Sequence, residues 1–277
     1  MNLIPLSEQA ILEVSGRDAI TFLQGYCTCD LDALFEGNAC YGAITNLQGR
    51  VETTFVAKLD QSHELTSGDQ TTPSILLRMA RSAVPHISAF LSKYIVFSKA
   101  TLADRSEDIA CYASFEPLED TQGLVIEVSQ RSQGFELWTT TGLPCDGDLL
   151  RWQQADLDAH LIWLAAHQAG EFQPFELGMT QNGGVNFKKG CYLGQEIIAR
   201  VHYRGQPKTQ LVLAIAAEGI QEGELITDET DSPCGKVITS VPTVSQTALA
   251  AVLNVNAINS SIFVRQSPLI IQDRFVG

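Results

Sequence analysis

The 277 residues hold 18 Lys plus Arg against 32 Asp plus Glu, a net charge of −14, and 45% of them are hydrophobic. Such a chain can bury a sizeable core in two or three folded units, so global disorder is excluded, and phosphate is repelled over most of its surface, which excludes a general nucleic-acid binder. No apolar run approaches the roughly 18 residues a bilayer span needs. The first cation is Arg17 with no apolar leader core before a cleavage site, so no secretory signal is expected, and seven scattered cysteines fit reduced thiols in a cytoplasmic protein rather than a disulfide framework.

In chain order, Ile4 to Val14 reads as strand. Ser15-Gly16 is a turn, and Asp18 to Gly25 places Ala19, Ile20, Phe22 and Leu23 at helical spacing, with Ser15 or Asp18 as cap. Ala39–Thr45 and Val51–Leu59 read as strands joined by the tight turn Asn46-Leu47-Gln48-Gly49. Ser74–Met79 is a further strand. Pro85 sits in the first turn of a helix that runs to Tyr94, and Val96–Leu102 and Gly123–Val128 are strands. Leu149 to Ala169 has one broad apolar helical face, ended by Pro174, and a loop follows from Glu176 to Lys189. From Lys208 the pattern changes to short runs, Thr209–Ala216, Leu225–Thr227, Lys236–Thr239 and Ala248–Val255, between Gly, Asn and Pro turns. These read as a small antiparallel barrel or sandwich with the main boundary near residue 206. The class is α+β with a β-rich tail.

Charge is uneven. Val185 to Gln210 holds Lys188, Lys189, Arg200, Arg204 and Lys208 against Glu196 alone, and Pro73 to Ala100 holds Arg78, Arg81, Lys93 and Lys99 with no acid. If the two windows meet they make a positive pocket for an anion such as a polyglutamyl tail or phosphate; otherwise they are solvated faces. Within the first window, Gly190 and Gly194 bracket a turn in Asn186-Phe187-Lys188-Lys189-Gly190-Cys191-Tyr192-Leu193-Gly194-Gln195-Glu196, and Gln195 to about Val201 is helix-compatible. Cys191 then lies just ahead of a helix N-terminus beside two lysines, where dipole and ammonium both favour thiolate. Such a sulfur serves as nucleophile, redox centre or metal ligand; the alternative is an inert thiol in a glycine-flanked turn, with Glu196–Arg200 as a plain surface pair.

The run K-G-C-Y-L-G-Q-E at Lys189–Glu196, followed by Arg200 and Tyr203-Arg204-Gly205, resembles the signature of the YgfZ family, folate-binding proteins similar to the T-protein (aminomethyltransferase) of glycine cleavage that act in iron–sulfur cluster maintenance. Gly16-Arg17-Asp18, Phe22-Leu23-Gln24-Gly25, Thr28-Cys29-Asp30, Leu47-Gln48-Gly49-Arg50, the block Lys93–Lys99 and Phe172-Gln173-Pro174 extend the resemblance. It implies a T-protein-like fold: two interleaved α+β subdomains over residues 1–205 and an antiparallel β-barrel over 206–277, around a central folate pocket. It implies tetrahydrofolate or a derivative as cofactor, bound through Asp158, Tyr192, Gln195, Glu196, Arg200 and Thr54, with Cys191 as functional thiol, Lys189 beside it and no metal. Asp158-Ala159-His160 after Trp152 stands where the family has Glu-Ala-Gly, one methylene shorter in the acid and with His for Gly. Where T-proteins carry an Asp pair after the glycine turn, this chain reads Glu52-Thr53-Thr54; Thr is no carboxylate base, and Glu52 is offset to the opposite strand face.

Four functions follow for comparison. The first is a folate-binding accessory protein for assembly or repair of iron–sulfur clusters, whose client proteins include tRNA-modifying enzymes. The second is a folate-dependent aminomethyltransferase, against which the missing Asp pair argues. The third is metal or cluster binding through Cys27, Cys29, Cys40 and Cys191, for which C-x-C is a weak pattern. The fourth is direct tRNA binding, with Phe187, Tyr192 and Tyr203 interleaved among the cations, weak and salt-sensitive in so acidic a chain. Neither DNA nor a membrane is an expected partner.

Overall fold

The computed structural model describes residues 2–60, 72–118, 122–205 and 207–274. Among the described residues four α-helices, α1 (Ala19–Gln24), α2 (Ala83–Ile95), α3 (Leu149–Asp158) and α4 (Gln195–Arg204), accompany three antiparallel sheets. The chain begins in a four-stranded sheet of order Ile4–Pro5, Ala110–Ser114, Phe135–Thr139, Leu124–Ile126. It leaves to build a five-stranded sheet of order Cys40–Thr45, Val51–Asp60, Ser74–Ala80, Gln9–Ser15, Thr101–Asp104, and then returns.

One face of the five-stranded sheet, with Leu12, Val14, Phe55 and Leu77, is covered by α1 and α2. The other face gives Tyr41, Ala43 and Val56 to a central core. There they meet Ala113 and Trp138 of the four-stranded sheet, Trp152 and Leu157 of α3, and Leu211, Ile238 and Ala250 of the tail. Period-two alternation of the tail strands divides their side chains between this core and the tail's own interior, Val212, Ala214, Val237 and Leu249. The tail is one seven-stranded sheet whose edge strands, Ser267–Pro268 and Ile270–Arg274, are separated in sequence by Leu269 alone. A chain that steps from one edge to the other in a single residue requires the sheet to curl, and the expected barrel takes the form of a curled half-barrel with open strand order. Its first strand starts at Thr209 and α4 ends at Arg204; the boundary expected at 206 falls on a residue outside the described ones.

Two sequence expectations are corrected and one omission is supplied. The helix read over Leu149–Ala169 stops at Asp158, because Ala159 caps it and His160 takes φ +54°. Leu161, Ile162 and Leu164 are buried as their spacing required, but in irregular backbone whose polar groups are met by side chains. Thr54 Oγ1 donates to the Ile162 carbonyl and accepts from Leu164 N at 3.3 Å, and the Tyr41 hydroxyl serves Ile162 on both sides. The strand expected from Val96 begins only at Thr101, leaving Val96 and Phe97 exposed in a turn. The strands Ala110–Ser114 and Phe135–Thr139 went unread, being five residues each and buried on both faces, with Glu136 inside.

Candidate functional site

The signature segment is a strap laid across the edge of the five-stranded sheet. Asn186 starts it: its side-chain oxygen accepts from the backbone N–H of Lys188 and Lys189, while its own N–H donates to Thr28 O at 2.9 Å. Leu193 ends it, donating N–H to Gly25 O at 2.9 Å and accepting from Thr45 Oγ1 at 2.6 Å. Gly194, at φ +81°, then lies on the Asn46–Gly49 turn; any Cβ there would collide with the Asn46 carbonyl. Gly49, at φ +68°, faces it from the turn. Two left-handed glycines back to back thus join the turn to the start of α4. Gly190 has open space where a Cβ would go.

Cys191 is exposed on this strap. Its neighbour Lys189 is not arranged as read. The Lys189 ammonium turns inward, donating to Cys29 O at 2.6 Å and Cys27 O at 2.9 Å, and stands 3.6 Å from Cys27 Sγ. The thiol it acidifies is therefore Cys27. Burial alone would push that thiol up, but the hydrogen bond with the Cys29 thiol and the Lys189 charge carry it below the ordinary value. Cys29 moves the other way, raised by the same hydrogen bond and by burial, and burial pushes Cys40 up to about 11. Among the described residues no three His, Cys, Asp or Glu are placed to hold a metal ion.

Tyr192 is buried beside them, its ring 5.4 Å from the Lys189 ammonium, and burial raises its phenol. Its hydroxyl has no hydrogen-bond partner among the described residues. Gln195 is half-buried and opens α4. Glu196 and Arg200 point to solvent, their charged atoms 3.7 Å apart, so they form the plain surface pair. The positive pocket does not assemble from the second window either. Arg78 is fully buried on Glu136, and Arg81 is held by the carbonyls of Ser7 and Ser106 and by Glu107.

Two residues read as ligand contacts are engaged within the chain. Thr54 is wholly buried and its hydroxyl is spent on Ile162 and Leu164. Asp158 is exposed and accepts from Gln154 Nε2 at 2.8 Å. The buried carboxylate of α3 is Asp156, which accepts from Arg131 Nε at 3.0 Å and Trp163 Nε1 at 2.8 Å. The signal was present in the spacing: Asp156 lies four residues after the buried Trp152, on the same helix face, and Asp158 does not. Glu52 lies where the strand register shifts, and there it accepts from Asn46 at 2.6 Å and meets His86 at 2.7 Å.

Around Asp156 lies a buried charge network. Arg78 and Arg131 both reach Glu136, and their guanidinium groups stack on Trp163 at 3.8 Å and Trp152 at 4.1 Å. Burial would raise the Glu136 carboxyl, yet the two guanidinium charges hold it below the ordinary range; burial wins at Asp156 and pushes it up. A cavity of about 190 Å³ opens on this network between Gln9 and Ser82, Gln153 and Asp156 of α3, Trp163, and Val241 of the tail. A smaller lobe of about 60 Å³ shares Gln9, Gln153, Asp156 and Trp163. Cys191 is not among the residues lining either.

Comparison with known proteins defines the class first. The fold is that of glycine-cleavage aminomethyltransferases: aminomethyltransferase T from Bartonella henselae superposes with a TM-score of 0.60 over 99% of this chain and 86% of that one, at 12% identity. No family model matches the chain. It is 29% identical over 244 residues to the tRNA-modifying protein YgfZ of Sodalis glossinidius and 26% identical over 240 residues to that of Colwellia psychrerythraea, covering 76% of this chain and 70% of each relative. The iron–sulfur cluster assembly factor IBA57 homolog of Mycosarcoma maydis is 26% identical over 236 residues, 76% of this chain and 56% of that one. The chain is thus similar in sequence to YgfZ proteins and in fold to aminomethyltransferases.

Proposed function

We propose that this chain is a folate-binding accessory protein in the assembly or repair of iron–sulfur clusters, supporting iron–sulfur enzymes that include tRNA-modifying ones, in the cytoplasm. The observation that carries the reading is Cys191: an exposed sulfur on a strap anchored at Asn186, Leu193 and Gly194. A thiol so displayed is suited to meet another macromolecule, and the family's relatives include proteins named for iron–sulfur assembly and tRNA modification. Lys189 acts as the inward-turned, half-buried tether of the strap, and the residues fall into a region 1–205 and a tail 206–277.

Reduced folate, tetrahydrofolate or a derivative, is proposed for the cavity beside Asp156. The lining suits the ring system of such a molecule: an aromatic face at Trp163 with a carboxylate and the amides of Gln9 and Gln153 around it. At about 190 Å³ the cavity takes the head of the ligand only, and the tail would extend outward. Aminomethyl transfer is the weaker reading, because Thr53 and Thr54 offer no carboxylate and Thr54 is committed to the backbone.

In bacteria lacking their own family member, this chain should restore the activity of iron–sulfur enzymes, and the Cys191→Ser variant, expressed to the same level, should not. Failure of the unaltered chain, or full rescue by Cys191→Ser, would remove the reading.

A further inference from the structure

Phe187 at the start of the strap and His202 on α4 stack face to face, with centroids 3.9 Å apart and planes 14° apart. Tyr203 meets both edge-on, at 5.8 Å and 4.7 Å, and is itself 68% exposed. His202 is exposed although Phe187 covers one of its faces. A short π-stack therefore ends in solvent. Close to it along the chain are Lys188, Arg200, Arg204 and Lys208, all exposed, while the one acid of that window, Glu196, is already beside Arg200.

We propose that this face of α4 and the strap is a docking surface for single-stranded RNA. The proposal goes beyond the accessory role above and does not depend on it. Stacked planar rings continued by exposed aromatic groups accept a nucleobase on sequence-tolerant terms, and the cations beside them track phosphates. An acidic peptide would use the cations but leave the rings without a planar partner, so the rings favour a nucleic acid. A duplex hides its base faces, which selects a single strand. The surrounding charge of −14 keeps the contact weak and confined to the patch.

Fluorescence anisotropy of a labelled twelve-nucleotide oligouridylate against the purified chain tests this. With four phosphates neutralised, affinity should fall about fiftyfold between 50 and 200 mM salt, from a slope of about −0.7 per phosphate on a single strand. Tyr203→Ala should weaken binding about tenfold, the usual scale for loss of one stacked base, and Arg204→Glu should weaken it and flatten the salt slope. Cys191→Ser should bind as the unaltered chain does, so that failure here and failure of the thiol's role are separate results. Absence of saturable binding at 50 mM salt would overturn the proposal. So would equal affinity for a duplex of the same length, or an unchanged affinity in Tyr203→Ala. Displacement by poly-L-glutamate with equal strength in the unaltered chain and in Tyr203→Ala would instead assign the surface to an acidic protein.

Discussion

The strap at 186–194 and the centre around Glu136 use charge in opposite ways. On the strap one ammonium, Lys189, enters the protein and finds carbonyl oxygens and a thiol. At the centre two guanidinium groups and two carboxylates are buried together, sum to zero, and are packed between indole rings. The strap is held by hydrogen bonds to a few backbone atoms and by Gly194, where a Cβ would strike the Asn46 carbonyl. The centre is held by mutual neutralisation, where removal of a single partner strands the rest. The difference teaches where each region is vulnerable: the strap to changes of shape, the centre to changes of charge.

The largest effect should come from Glu136→Gln. It keeps the shape and removes the charge that both Arg78 and Arg131 face, and breaking a buried pair in this way costs about 3–5 kcal/mol. Denaturant melts at neutral pH should show that loss. Because Glu136 is held below the ordinary carboxylate range when folded, it binds fewer protons than in the unfolded chain, so its stabilisation is present above the unfolded value near pH 4.3 and is lost as pH falls through the lower folded value. The unaltered chain should lose stability across that acid window, and Glu136→Gln should lose less. A parallel acid profile in the two would show that Glu136 is not held low.

Lys189→Met tests the strap and should cost less, about 1–3 kcal/mol for leaving the carbonyls of Cys27 and Cys29 without their donor. Its second consequence is a sign. The ammonium lowers the Cys27 thiol, so in the unaltered chain this group adds stability as pH rises from the folded value toward the unfolded one, about 8.5. Above that, Cys40, raised to about 11, works in the other direction because the unfolded chain ionises first. Stability of the unaltered chain should therefore rise and then fall on the alkaline side, and Lys189→Met should diminish the rise, leaving the part due to the Cys29 hydrogen bond, and keep the fall. An undiminished rise in Lys189→Met would dissociate Cys27 from this lysine.

What was legible in the sequence follows the same division. The strap was readable because glycines at 190 and 194, the turn at 46–49 and the helix after Gln195 are local signals, each resting on backbone geometry within a few residues. The direction of Lys189 was not, since it depends on Cys27 and Cys29, some 160 residues earlier. At the centre, local reasoning failed in a patterned manner. Arg78 was read only as one cation of a positive window, Glu136 was not singled out, and Asp156 was passed over for Asp158 although helical spacing from Trp152 favours it. A buried ion network is invisible to hydropathy, because each member is made tolerable only by partners from other sheets. The irregular run Leu161–Ala165 shows the related failure: its apolar spacing suited a helix, and the hydroxyls of Thr54 and Tyr41 supplied the bonds that a helix otherwise provides.

The smallest effect sharpens the comparison at its surface end. Glu196 lies in the first turn of α4, 86% exposed in its side chain, and its carboxylate is 3.7 Å from Arg200. An exposed i,i+4 pair contributes about 0.3–0.5 kcal/mol, and a carboxylate near a helix N-terminus adds a similar amount. Glu196→Ala should therefore lower stability by less than about 1 kcal/mol. It should also leave tetrahydrofolate binding by calorimetry unchanged, because nothing in the cavity beside Asp156 touches α4. Asp156→Asn should weaken that binding in the same experiment. If Glu196→Ala instead weakened it more than tenfold while Asp156→Asn did not, the ligand would sit against the strap and α4, and the two regions contrasted above would be parts of one site.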